Sequence, residues 1–180
     1  MIRAAAILTF ALAATSASAA PLRDAATGLT VDPPASYSVR ASAPDAQHAA
    51  RMTLKRPDDT DGGCELGFSA NAANARLTQA QINALIGGDE SQERYKAGLS
   101  PVYDVLSSAV TNLGPIRVLV LQADFKPRPE LPPRARQVRS YFAIMETPRG
   151  RTTLVCVADR TDFAGRFAEF GTILQSVTAP

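Results

Sequence analysis

The sequence predicts an α+β fold, a single domain in which an antiparallel β-sheet is packed by helices. Three observations carry this expectation. Residues 51–55 and 64–70 alternate apolar and polar side chains on either side of an acidic turn, the period of half-buried strands. Residues 138–146 and 151–159 flank Thr147-Pro148-Arg149-Gly150 as the two arms of a long hairpin. The final apolar residues then fall at spacings of four and three, the period of an amphipathic helix. Strands, a helix, long strands and a terminal helix make an α+β order.

Composition agrees with one globular domain. The 180 residues are 46% hydrophobic, 20% charged and 6% aromatic, which excludes a disordered polar chain, a collagen-like repeat or a disulfide-dense miniprotein. Nineteen basic residues against seventeen acidic ones give a net charge of +2. That near balance argues against a nucleic-acid partner, which calls for a concentrated basic excess.

The first residues read as an export signal. Met1-Ile2-Arg3 is followed by the apolar run Ala4–Ala14, broken only by Thr9, and by the small-x-small triplet Ala17-Ser18-Ala19. A signal peptidase accepts only small side chains there, so the expected cut falls before Ala20. Eleven apolar residues rise only about 16 Å as a helix, short of a hydrocarbon core of ~30 Å. No cysteine stands at the cut site to carry a lipid. The expected division is a leader at 1–19 and one globular domain at 20–180, with 161 residues and a net charge of +1. A chain of that size buries roughly 70% of its unfolded surface. The short alanine-rich run has a bacterial character, which makes the expected location periplasmic or secreted. Ile116–Phe125, the longest later apolar stretch, is interrupted by Arg117, Gln122 and Asp124, so no stable membrane insertion is expected after cleavage.

The remaining elements follow in order. Leu29-Thr30-Val31 and Tyr37-Ser38-Val39 read as short strands flanking Asp32-Pro33-Pro34, where proline enforces a bend. Arg51–Lys55 is a strand, and Asp58–Gly63 a turn. Cys64, Leu66, Phe68 and Ala70 share one face of the next strand. Thr78 as N-cap and Gln81 at N3 make a capping box, with Leu77 and Ile82 as a hydrophobic staple. Gly87-Gly88 is the expected left-handed exit of that helix. A second helix is expected from Asp89 to about Gly98. Val102–Thr111 reads as a strand on its valine and serine content, with a further helical turn from Ser100-Pro101 as the alternative. Ile116–Phe125 is a buried strand. Proline second and glycine fourth in Thr147–Gly150 suit a type I turn with a bulge. The closing helix runs from Asp162 to Val177 and is capped by Thr161 or Asp162. Its stripe is Phe163, Phe167, Phe170, Leu174 and Val177, which has to be buried against a sheet.

Among residues that could carry chemistry, Cys64 and Cys156 come first. An oxidising compartment favours a bridge between them. No C-x-x-C spacing supports a redox pair, and nothing nearby in sequence is arranged to lower a thiol pKa. Asp58, Asp59 and Asp61 before Gly62-Gly63 invite a calcium reading, but an EF-hand register puts Pro57 at position one and Phe68 at position twelve, and neither can ligate through its side chain. A tight turn explains the same residues; weak cation binding by the three carboxylates stays open. His48 is the only histidine. No G-x-S-x-G elbow accompanies it, no second histidine gives a metal spacing, and no glycine pattern matches a nucleotide loop. No catalytic residue, metal site or cofactor is assigned.

One stretch stands out by composition. Residues 126–137 hold four prolines and four basic groups, and 117–151 carries eight basic against three acidic residues. Long loops inside compact domains are usually functional or disordered. Arg134, Arg136, Arg139, Arg149 and Arg151 are the candidate contacts for another envelope protein or an anionic ligand; a solvated, proline-stiffened connector is the competing reading.

The hairpin Arg139–Val157 followed by the helix Phe163–Val177, together with the Tyr37-Ser38-Val39 strand after Pro-Pro and a helix near 78–98, resembles the PsbP/Mog-like family of small α/β/α proteins. The resemblance follows the order of elements across most of the chain. It implies an antiparallel sheet covered by helices and a supporting role in an envelope assembly, since members are mostly non-enzymatic accessory or binding proteins. No functional residue carries over from it. The expected function is therefore an exported, non-enzymatic binding or accessory protein of the bacterial cell envelope. The alternatives are a small periplasmic hydrolase with a dispersed Asp/Ser/Arg site, or a secreted effector or inhibitor.

Overall fold

Residues 21–60 and 62–180 of the computed structural model are described below; the expected leader, its cut before Ala20, and Asp61 of the acidic turn lie outside them. In these residues the strands are β1 (Leu22–Arg23), β2 (Thr30–Val31), β3 (Ser38–Ser42), β4 (Ala50–Lys55) and β5 (Gly63–Ala70). Helices α1 (Gln79–Gly87) and α2 (Asp89–Leu99) come next, then β6 (Tyr103–Leu113), β7 (Ile116–Phe125), β8 (Val138–Thr147) and β9 (Gly150–Asp159). Helix α3 (Phe163–Gln175) and β10 (Val177–Thr178) close the chain. Seven strands form one antiparallel sheet in the order β3-β4-β5-β9-β8-β7-β6, and β1-β2-β10 form a small second sheet. This is the α+β, helix-covered antiparallel architecture that the alternation predicts.

The large sheet separates two apolar clusters. On one face Leu54, Cys64, Leu66, Tyr141, Met145, Leu154 and Cys156 pack with Phe163, Phe170, Ile173 and Leu174 of α3 and with Val31 and Val177 of the small sheet. On the other, Leu119, Leu121, Phe142 and Ile144 pack against Ile82 and Ile86 of α1. β8 is covered on both sides and buried along nearly its whole length. β9 alternates instead: Thr152, Leu154, Cys156 and Ala158 are buried, whereas Arg151 is exposed and Thr153, Val155 and Val157 are half-buried. The reason is that α1 lies mainly over β7 and β8 and α2 over β6, so this helical layer covers β9 only in part.

Cys64 and Cys156 are direct cross-strand partners on β5 and β9. They form a disulfide with an S–S distance of 2.02 Å, joining positions 92 residues apart, and no described cysteine is free. The capping box at Thr78 and Gln81 forms as the sequence predicts.

Four local expectations are corrected. Gly88 is extended (φ −84°, ψ 146°) and serves both as the end of α1 and as the N-cap of α2, so the exit is not left-handed. The terminal helix stops at Gln175, because Val177 and Thr178 pair with Val31 and Thr30. Asp162 occupies the α3 N-cap without a side-chain capping bond. Phe167 is left 37% exposed. The basic loop is not loose: Pro133–Arg136 make one turn of 3-10 helix, Ala135 is buried in it, and Arg128 donates to the carbonyl of Pro101.

Candidate functional site

Because α1 and α2 cover β9 only in part, a cavity of about 640 Å³ opens between them and the sheet, within the size range of small-molecule sites. Its apolar wall includes Leu77, Ile82, Ile86 and Leu99 from the helical side and Phe142 and Ile144 from β8. Thr153 and Val155 of β9 belong to its lining as well. Helix α1 is fixed over the sheet by polar ties at its start and its middle. Gln79 Nε2 donates to the Glu146 carbonyl at 3.0 Å, and Asn83 Nδ2 to the Pro115 carbonyl at 2.7 Å.

The end of the cavity nearest the β8–β9 turn is polar. Glu146 and Arg151 face each other across the hairpin, and Arg151 Nε donates to Glu146 Oε1 at 2.6 Å. The Tyr95 hydroxyl of α2 donates to the same oxygen at 2.6 Å, and Asn74 Nδ2 donates to Oε2 at 2.7 Å. Arg151 Nη2 donates to the Tyr95 hydroxyl at 3.2 Å, with the guanidinium carbon 5.1 Å from the ring centroid. The Glu146 side chain is 7% exposed and that of Arg151 45%. Burial, reinforced by Glu146, drives the Tyr95 phenol well above its ordinary value, so it remains a proton donor. Burial opposes the charge on Arg151, but Glu146 outweighs it and holds the guanidinium above its usual pKa. The arrangement presents a fixed cationic donor group beside an apolar wall.

A second, polar cleft of about 550 Å³ lies by the start of α3 and is lined by Arg56, Asp58, Asp59, Arg134, Asp159 and Arg166, among others. Here Asp58 and Asp59 of the acidic turn are taken up by ion pairs. Asp58 pairs with Arg56, and Asp59 accepts from Arg166 Nη1 at 2.9 Å and from the Arg56 backbone N–H at 2.9 Å. Burial raises the Asp59 carboxyl, but Arg166 and that backbone bond outweigh it and hold it below its ordinary value. The Tyr37 phenol, which donates to Glu169 at 2.9 Å, is pushed up to about 12, by burial first and Glu169 second. Among the described residues no three His, Cys, Asp or Glu side chains converge to hold a metal ion. His48 Nδ1 stands 3.1 Å from Asp45 Oδ1, and its ring lies against Gly67, where a Cβ would come within 2.6 Å of it.

The five candidate arginines do not share one surface. Arg139 turns to the α3 face, where it pairs with Asp124 at 2.9 Å and lies over the Phe163 ring. Arg134 is ion-paired with Asp159, and Arg136 is exposed on the same turn. Arg149 is exposed at the tip of the β8–β9 hairpin. Arg151 points to the opposite face from Arg139 and lies seven positions along β9 from Arg139's partner Ala158, a distance of about 23 Å. Of the five, Arg151 alone lines the large cavity. Its pairing with Glu146 was within reach of the sequence, since the hairpin turn sets them opposite; Tyr95 and Asn74 carry no local signal. Among the described residues no helix is long and apolar enough to cross a membrane.

Layers and cavity together define a small α/β/α protein with a pocket under its helical hairpin. No family model matches the chain, and no curated protein matches it. The fold is PsbP-like: the solution structure of cyanobacterial PsbP (CyanoP) from Synechocystis sp. PCC 6803 aligns over 95% of this chain and 98% of its own, with a TM-score of 0.59 and 6% identity. A crystal structure from Bacteroides thetaiotaomicron VPI-5482 aligns over 84% of this chain and 45% of its own, with a TM-score of 0.49 and 12% identity.

Proposed function

We propose that the protein is an exported, non-catalytic binding module of the bacterial cell envelope that holds a small, largely apolar ligand between the α1–α2 hairpin and β8–β9. The observation that carries this reading is the cavity itself. Apolar side chains from both helices and from β8 and β9 line it, and the hydrogen-bonded group Asn74, Tyr95, Glu146 and Arg151 sits at one end, the composition of a site that binds an apolar body and fixes its direction. The Cys64–Cys156 bridge supports an oxidising, extracytoplasmic location. The PsbP-like fold supports an accessory role by analogy of architecture.

The test uses the mature protein and N-phenyl-1-naphthylamine, an uncharged apolar fluorophore. Saturable one-site fluorescence enhancement is expected. Val155→Phe, which puts a ring on the half-buried floor, is expected to abolish the enhancement while the melting temperature holds. Val110→Phe, on the edge strand β6, is the control and is expected to bind as wild type does. Absence of saturable binding, or equal binding by Val155→Phe, overturns the proposal.

A further inference from the structure

We infer that the ligand is an anionic amphiphile, a single apolar chain ending in a carboxylate or a comparable acidic head, and that Arg151 recognises the head. This rests on the cavity being a ligand site and deepens it by naming the ligand class.

The inference follows from which hydrogen-bonding capacity is already used. Glu146 is largely committed: Oε1 accepts from Tyr95 and Arg151, and Oε2 accepts from Asn74, three of the about four acceptor positions of a carboxylate. A cationic head entering the cavity therefore meets a carboxylate whose charge is already paired with Arg151. Arg151 is different. A guanidinium carries five N–H donors; one goes to Glu146 and one to the Tyr95 hydroxyl, which leaves three without a partner among the described residues, on a side chain that is 45% exposed. Acceptors with negative charge satisfy such donors best, through charge-assisted bonds.

Preorganisation points the same way. Arg151 is held by Glu146 at its Nε and by the Tyr95 ring beneath its plane, so little side-chain freedom remains to be lost when a head group docks. Leu77, Ile82, Ile86, Leu99, Phe142 and Ile144 then receive the tail.

Calorimetric titration with dodecanoate, dodecanol and dodecyltrimethylammonium, all below their micelle concentrations, separates head from tail. Dodecanoate is expected to bind at least about tenfold more tightly than dodecanol, the scale of one charge-assisted hydrogen bond, and the ammonium compound more weakly than either. Arg151→Gln is expected to remove the preference. Because that change strands Glu146 in a buried position, the paired variant Arg151→Gln/Glu146→Gln is measured alongside, with its fold checked by circular dichroism. It is expected to keep dodecanol binding and lose the dodecanoate preference. Equal binding of dodecanoate and dodecanol by the wild type, or an unchanged ratio in the folded double variant, overturns the head-group assignment and leaves the cavity reading standing. Failure of N-phenyl-1-naphthylamine and of all three amphiphiles to bind removes both. Sedimentation with phosphatidylglycerol vesicles that excess dodecanoate does not reverse assigns the attraction to a membrane surface and overturns the inference; reversal by dodecanoate supports it.

Discussion

Asp59 shows how a single side chain can be read correctly as a turn former and still have its main task hidden. Its carboxylate is 5% exposed and pairs with Arg166, itself 13% exposed, so it fastens the turn after β4 to helix α3. Removing one member of a buried pair costs about 3–5 kcal/mol. Asp59→Ala is accordingly expected to lower stability by about 3 kcal/mol in urea unfolding at neutral pH. The folded carboxyl lies below its ordinary value, so its contribution is complete above the unfolded carboxyl range, near pH 4, and is lost as pH falls through the lower folded value. The difference between wild type and Asp59→Asn is therefore expected to narrow when unfolding is measured at about pH 3 and below; a difference independent of pH would assign the loss to packing. None of this was legible at Asp59 itself, because Arg166 stands 107 positions away. Glu146 and Arg151 are the contrasting case, since the hairpin turn between them specifies their pairing.

At the scale of elements, the sequence was most informative where the determinants are local. The Thr78/Gln81 box, the alternation of β4 and β5, and the hairpin turn each declare themselves within ten residues. What escaped depends on partners elsewhere. Strands β1 and β10 have two residues each and exist only because β2 lies between them; Val177, in phase with the helical stripe, is drawn out of the helix by that pairing. Glycine illustrates the same division. At Gly150 (φ 152°) a Cβ would lie 2.2 Å from the Ser69 carbonyl oxygen, whereas at Gly87 it would meet the far end of the Arg117 side chain. Backbone cannot yield and a flexible side chain can. Gly150→Ala is expected to lower stability by about 2–3 kcal/mol, and Gly87→Ala by less than about 1 kcal/mol, both read from thermal unfolding. Equal losses at the two sites would contradict this account.

For the whole molecule, the disulfide ties the two halves of the large sheet across a 92-residue separation. Chain-entropy reasoning puts its stabilisation at about 4–5 kcal/mol. Cys64 and Cys156 are already neighbours in a hydrogen-bonded ladder, so reduction is expected to leave the circular dichroism spectrum intact and to lower the urea midpoint. An unshifted midpoint would show that the ladder alone fixes the register. The bridge was foreseeable from the export signal expected at the N-terminus and the cysteine count. The cavity was not, because it arises from how far a helical layer reaches across a sheet, a quantity no local pattern encodes.

The small sheet has a topological consequence. Leu22 and Val177 both pair with Val31, so the first and last strands are stitched to one central strand, about 10 Å apart. The described chain is nearly a closed ring, and its starting point is close to a convention: a circular permutant joining residue 180 to residue 21 through a short linker retains the two-sheet connectivity. Val31 and Val177 also belong to the core on the α3 side. A reporter or surface tether attached at either end thus leaves from beside α3, on the far side of the sheet from the α1–α2 cavity, and keeps its mouth clear.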